Sequence, residues 1–243
     1  KNEEITTLLL AQESAIVQQL LEICIRTDQD AANLGILEEV RVLICLFIHD
    51  LFIENPLMIK LVHFQGYPTE LLPMTVTGIP SMHICLEFIG ELLQQPQLEK
   101  QVFAVKLASH LAQKYPIPRS FDLAKLIVAH LRSHSNVNES KYLDSTFLNS
   151  NGIPPKNTLP PTQQPYNRLY NVEAAAFLIE VIPSLSLFCQ AFPVLIEEIS
   201  GFLLDITPHP VTSSNELMER KNYLLKDTIK ETLKEITKKL DNF

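Results

Sequence analysis

Residues 34–68 read LGILEEVRVLICLFIHDLFIENPLMIKLVHFQGYP, and the fold is decided here. From Leu34 to Ile53 the apolar residues recur at three and four. Val40, Leu43, Ile44, Phe47, Ile48 and Leu51 are so dense that the predicted helix must be covered on more than one side. Asn55-Pro56 then starts a second helix, because a proline in the first turn loses no intrahelical hydrogen bond, and Tyr67-Pro68 repeats the device. Short helices are expected over about 56–65 and 68–77, the latter ended by Gly78.

Working outward, Leu8, Ala11, Ala15, Ile16, Gln19, Leu20 and Ile23 share one stripe of a helix predicted from about Glu4 to Thr27. Downstream, Pro80-Ser81 begins a helix to Gln95, Gln95-Pro96 opens one to Lys114, and Pro118-Arg119-Ser120 leads into one reaching about Ser133. Strict alternation is hard to find, so the chain reads as all-α. Seven helices over residues 1–134, joined by short connections at a loose spacing of about 40 residues per helix pair, predict a HEAT/armadillo-like array. The whole is expected to be an α-solenoid fragment of about ten helices.

Residues 135–170 hold five prolines and six asparagines, with doublets at Pro154-Pro155 and Pro160-Pro161 that forbid helix. They are read as a linker or surface loop, and as the internal boundary. The array is expected to continue over 171–206 in helices at about Val172 to Ala191, kinked at Pro183, and Pro193 to Asp205. Residues 207–243 are read as a short loop and a charged amphipathic helix striped by Leu225, Ile229, Leu233, Ile236 and Leu240.

Across 243 residues, 46% are apolar, 20% are charged and the net charge is −8, the wrong sign for a chain whose main partner is a phosphate backbone. Cys24, Cys45, Cys85 and Cys189 lie singly inside apolar runs, as buried thiols of a reducing compartment do. The chain opens Lys1-Asn2-Glu3-Glu4 rather than on Met, so it is expected to be a segment of something longer, and a missing targeting signal carries no information. Leu71 to Leu86 and Ala174 to Ile196 are uncharged but for Glu180; prolines interrupt both, and they are read as buried helices rather than membrane spans.

Six scattered glycines form neither GxGxxG nor GxxxxGK, and no GxSxG or HExxH is present. His130 and His134 are four apart and would share a helix face, but no Cys, Asp or Glu lies within four residues to complete a metal site. His83 and Cys85, two apart, point away from one another; Glu38-Glu39 and Glu197-Glu198 are adjacent, hence not opposed across a cleft. His49 and His63 lie inside apolar helices, where a hydrogen-bonded core histidine is the ordinary reading. No enzyme, cofactor or metal is expected. Lys226, Lys230, Lys234 and Lys238 align along the last helix as a possible RNA contact, but Asp227, Glu231 and Glu235 each precede a lysine by three, the spacing of intrahelical ion pairs.

Lys60-Leu61-Val62-His63-Phe64-Gln65-Gly66-Tyr67-Pro68 with Glu70-Leu71-Leu72 resembles the carboxy-terminal region of Integrator complex subunit 2. The likeness continues through Gly78-Ile79-Pro80-Ser81-Met82-His83-Ile84-Cys85-Leu86, Gln97-Leu98-Glu99-Lys100-Gln101, Ser109-His110-Leu111, and Pro183-Ser184-Leu185 with Phe188-Cys189 and Ala191-Phe192-Pro193. It is strong over about 60–120 and 172–205, loose over the first 55 residues, and hardly present in the linker and last helix. The resemblance implies a noncatalytic nuclear scaffold. Its partners would be other Integrator subunits and, indirectly, RNA polymerase II, in transcription termination and small nuclear RNA 3′-end processing, with no membrane and little direct nucleic-acid contact. Two other readings share the composition: a helical-repeat adaptor of cytosolic transport or signalling, and an RNA-contacting module working through the four lysines.

A binding role needs apolar surface left over after the helices have packed. The surplus is expected on helices 80–95 and 172–191, which carry few charges, and the candidate partner-binding residues are His63, Phe64, Gln65, Tyr67, Met82, Phe188 and Phe192. The aromatic group at Gly66 makes either a compact corner, the favoured form, or an exposed anchor.

Overall fold

The computed structural model describes residues 2–25, 34–146, 170–208 and 215–240, with side chains over 10–25, 35–135, 170–208 and 215–238. All regular structure among these is helical: α1 (Asn2–Ile23), α2 (Leu34–Glu54), α3 (Pro56–Gln65), α4 (Leu72–Gly78), α5 (Ile89–Leu93), α6 (Leu98–Lys114), α7 (Pro118–Thr146), α8 (Val172–Val181), α9 (Leu185–Ala191), α10 (Ile196–Asp205) and α11 (Glu216–Leu240), with short 3-10 segments between some of them. The chain divides into two compact units, Lys1–Leu123 and Ala124–Phe243.

In the first unit proline and glycine set the boundaries. Pro56 occupies the first turn of α3, and Gly66 ends it at φ +79°, where its N–H bonds the Val62 carbonyl. An L side chain is strained at that angle, so glycine is required. The predicted helix 68–77 divides into a 3-10 turn over Thr69–Leu71 followed by α4. Pro73 explains the division, since it has no N–H to return to the Thr69 carbonyl.

A larger departure follows Pro80. The predicted helix to Gln95 is instead an eight-residue 3-10 helix, Pro80–Glu87, and then the short α5. Ile79, Met82, Cys85 and Phe88 are all buried. They are spaced by three, and a 3-10 helix aligns residues at that spacing on one face. Ser81, Leu86 and Ile89 are buried beside them, so this row is one edge of a broader buried face.

α2 packs against α1, α3 and α4 through Ile44, Cys45, Ile48 and Phe52, and α6 lies against α4 and α5. The α2–α4 crossing is close: a Cβ added at Gly78 would lie 2.7 Å from Cys45 Sγ and 3.1 Å from Cys45 Cβ. Arg41 spans another junction, its Nε and Nη2 donating to the Cys24 carbonyl at 3.0 and 2.7 Å beyond the end of α1.

The second unit begins inside α7, which runs to Thr146 rather than stopping near Ser133. Residues 134–146 contain neither proline nor glycine, and the linker prolines begin only at Pro154. The 147–169 part of the predicted linker lies outside the described residues. The kink expected at Pro183 is a 3-10 turn, Ile182–Ser184, between α8 and α9. Val172–Ala191 is long and apolar enough to cross a membrane by length and composition, yet more than half of it is buried. α11 lies along α8 and α9.

Asn222 of α11 fastens that packing. Its Oδ1 accepts the Tyr170 N–H at 2.9 Å, while Nδ2 donates to the Tyr170 and Met218 carbonyls at 2.7 and 2.8 Å. Tyr170 and Asn222 are both buried, so one amide satisfies both backbone groups of the residue that precedes the α8 cap. Asn171 then caps α8 by accepting the Ala174 N–H at 2.7 Å.

Two substitutions check these joints. Gly78→Ala forces α4 away from α2 and is expected to cost about 1–3 kcal/mol in urea unfolding, with part of the loss recovered in a Cys45→Ala background. Asn222→Ala removes the two hydrogen bonds to the buried Tyr170 backbone and the one to the Met218 carbonyl, and is expected to cost about 2–4 kcal/mol, read as a lower midpoint at unchanged slope.

Candidate interaction surface

Among the described residues, none covers the outer side of α2. Val42, Leu43, Leu46 and Phe47 form two turns of apolar surface there, with Leu43 67% and Phe47 52% exposed. This overturns the reading that α2 must be covered on more than one side. Ile44 and Ile48 face inward, whereas Leu43 and Phe47, one position earlier in each case, face outward. Glu38 and Glu39 lie one turn before this block, Asp50 one turn after it and Glu54 two turns after it; all four are exposed. Arg41 and His49 are the basic side chains of α2. Arg41 is taken up by Cys24 and by Glu38, at 2.7 Å, and His49 Nδ1 is 3.1 Å from Ser81 Oγ. The α2 face is therefore a greasy centre bracketed by acids, with Ile36 and Ile53 exposed beyond them.

The aromatic group at Gly66 is the compact corner. His63, Tyr67 and Met82 are buried, Phe64 is half-buried and Gln65 is exposed. Phe188 is buried in the second unit and Phe192 is half-buried. His63, Tyr67, Met82 and Phe188 are thus spent inside the chain, and as partner-facing residues they are corrected. Gln65 accepts from the Ser14 hydroxyl at 2.5 Å, and its backbone carbonyl receives Lys100 Nζ.

The corner also holds a buried network of polar groups. His63 Nδ1 donates to the Ile59 carbonyl at 2.7 Å, which leaves Nε2 as an acceptor facing the Tyr67 hydroxyl at 3.3 Å and the Cys85 thiol at 3.6 Å. Tyr67 also lies 3.1 Å from Thr75 Oγ1, and Thr75 can donate to the Leu72 carbonyl at 3.2 Å. One proton arrangement serves every acceptor: Thr75 to Leu72, Tyr67 to Thr75, Cys85 to His63. The rings of Phe52, Phe88 and Phe103 lie 6.0–6.3 Å from the imidazole. The adjoining cavity is ≈10 Å³, at or below the size of one water. With nothing to solvate a cation, burial lowers the His63 pKa to about 4, and it pushes the Tyr67 and Cys85 groups up.

The other candidates are placed as follows. His83 is exposed, with its ring against Tyr115 at 5.9 Å, and Cys85 is buried, so the two point apart as expected. His130 and His134 do meet, their ring centroids 4.6 Å apart and His134 against Phe177. Burial lowers both pKa values, that of His130 further through His134. Among the described residues, no group of three or more His, Cys, Asp and Glu could hold a metal ion. Lys226, Lys230, Lys234 and Lys238 are all exposed on α11, and Lys234 bonds Glu231 at 2.6 Å, one of the expected pairs. That bond holds the Glu231 carboxyl below its usual range.

The α2 surface was missed in the sequence because dense apolar helices are usually buried on both sides. The signal that distinguishes it is the placement of Glu39 and Asp50 on the same face as Leu43 and Leu46, where a fully covered helix would have no acid.

Comparison with known proteins locates this fold among its relatives. The family described as Integrator complex subunit 2 matches residues 1–150. An Integrator complex subunit 2 homolog of Dictyostelium discoideum is 38% identical over 226 residues, covering 86% of this chain. The chain belongs to the Integrator complex subunit 2 family. Integrator complex subunit 2 of Homo sapiens is 39% identical over 230 residues, covering 82% of the chain, and that of Drosophila melanogaster is 32% identical over 203 residues. The match takes in 14% of the Dictyostelium relative and 16% of the human one, so the chain spans about one-sixth of the length of these Integrator complex subunit 2 proteins.

The buried corner generates a pH dependence. Since the folded pKa of His63 lies below the unfolded value near 6.5, the unfolded chain takes up the proton first as pH falls. The stability that the neutral ring contributes is complete above about pH 6.5 and is lost as pH drops towards about 4, by up to about 3 kcal/mol. Unfolding free energies measured across this window should show that slope for the parent chain and a flatter one for His63→Gln.

Proposed function

We propose that the chain is a noncatalytic helical scaffold segment of the Integrator complex. It acts in the nucleus by protein–protein binding, in RNA polymerase II transcription termination and small nuclear RNA 3′-end processing. The observation that carries this reading is the bare α2 face: Val42, Leu43, Leu46 and Phe47 form a contiguous apolar surface that water covers at a cost until another protein does. Kinship with Integrator complex subunit 2 supports the choice of assembly. The succession of helices joined by short connections supports the HEAT-like solenoid as the architecture that presents this face.

RNA contact through α11 is the weaker reading. Each lysine of the Lys226, Lys230, Lys234 and Lys238 line has an acid three residues before it or beside it in sequence, and the chain carries a net −8. A phosphate backbone approaching that helix meets both signs.

The test is affinity capture of the full-length protein carrying Leu43→Asp and Phe47→Asp. Recovery of the other Integrator subunits should fall at least about ten-fold while far-UV circular dichroism stays unchanged, since both positions are exposed. Unchanged recovery overturns the reading.

A further inference from the structure

The α2 face has a charge pattern as well as an apolar centre, and the pattern restricts what can cover it. Glu39, Val42, Leu43, Leu46, Phe47 and Asp50 follow one another at helical spacing on a single exposed face, with Ile36 and Ile53 exposed on the same face beyond the two acids. Glu39 and Asp50 are eleven residues apart, about 16 Å along the axis.

A second copy of the chain fits poorly. Laid parallel, two such faces set Glu39 against Glu39; laid antiparallel, they set Glu39 against Asp50 at both ends. Either way like charges are desolvated together. An anionic surface is repelled for the same reason.

We infer that the α2 face is the seat of an amphipathic helix from another Integrator subunit, one whose apolar block is bracketed by lysine or arginine about three turns apart. The occupant's apolar residues cover Val42, Leu43, Leu46 and Phe47, and its two cations reach Glu39 on one side of them and Asp50 on the other. The apolar centre supplies the affinity, while the flanking acids fix orientation and exclude self-pairing. This rests on the scaffold reading above and adds the chemistry of the partner.

The experiment uses the assembled complex containing the full-length protein. Zero-length carbodiimide coupling joins a carboxylate to a lysine in direct contact. It should link Glu39 and Asp50 to lysines ten or eleven residues apart in one helix of one other subunit. In parallel, Glu39→Gln with Asp50→Asn should lower capture of that subunit several-fold at low salt, with the difference closing at high salt. The salt readout also detects an occupant that uses arginine, which the reagent does not couple.

Links to a second copy, or to lysines of the same polypeptide, overturn the inference. So does an absence of links together with salt-independent capture. If the charge variant behaves as the parent while Leu43→Asp with Phe47→Asp still loses the other subunits, the scaffold reading stands and the basic helix is wrong. If neither variant changes capture, both fall.

Discussion

The His63 imidazole in the first unit sits where α3 meets the 3-10 helix that follows Pro80, and it has to remain uncharged. Its Nδ1 proton is committed to Ile59, its Nε2 faces Tyr67 and Cys85, and aromatic rings fill the space around it. A polar ring in such a place is tolerable only if its hydrogen bonds are met. Meeting them fixes the turn at Gly66, the approach of Tyr67 to Thr75, and the side of the 3-10 helix that faces inward. The sequence block His63-Phe64-Gln65-Gly66-Tyr67-Pro68 is therefore a structural joint.

With the corner consumed internally, the free surface moves to α2. One side of that helix closes on α1, α3 and α4, and the other is bare among the described residues. Arg41 bears on both the packing and the charge pattern. By reaching back to the Cys24 carbonyl and to Glu38, it holds the start of α2 against the end of α1, and its positive charge is already engaged away from the outer face.

Much of the helical order was legible because proline and glycine write boundaries in steric terms that tertiary context rarely overrides. α3 begins at Pro56 and ends at Gly66 as read, and Pro183 interrupts the 172–191 stretch as read. What escaped was periodicity and coverage. The spacing of three through Ile79, Met82, Cys85 and Phe88 was in plain view, but a helix template with spacings of three and four absorbs it. α7 runs on past Ser133 because residues 134–146 hold asparagine and serine but no proline, and the prolines begin only at Pro154. In the candidate site, composition marked the apolar excess but assigned it to the wrong helices, since the burial of a neighbouring face depends on contacts that no local pattern encodes.

The four cysteines give the chain built-in gauges of its own opening. Cys24, Cys45, Cys85 and Cys189 are buried, and burial drives every one of these thiols up, to about 11 for Cys45 and about 12 for Cys189. A thiol held so far from its anion reacts with alkylating reagents only when its surroundings part. Cys24, Cys45 and Cys85 fall in one compact unit and Cys189 in the other. The rate at which each is alkylated therefore times the breathing of its own unit separately, without any label being added to the molecule.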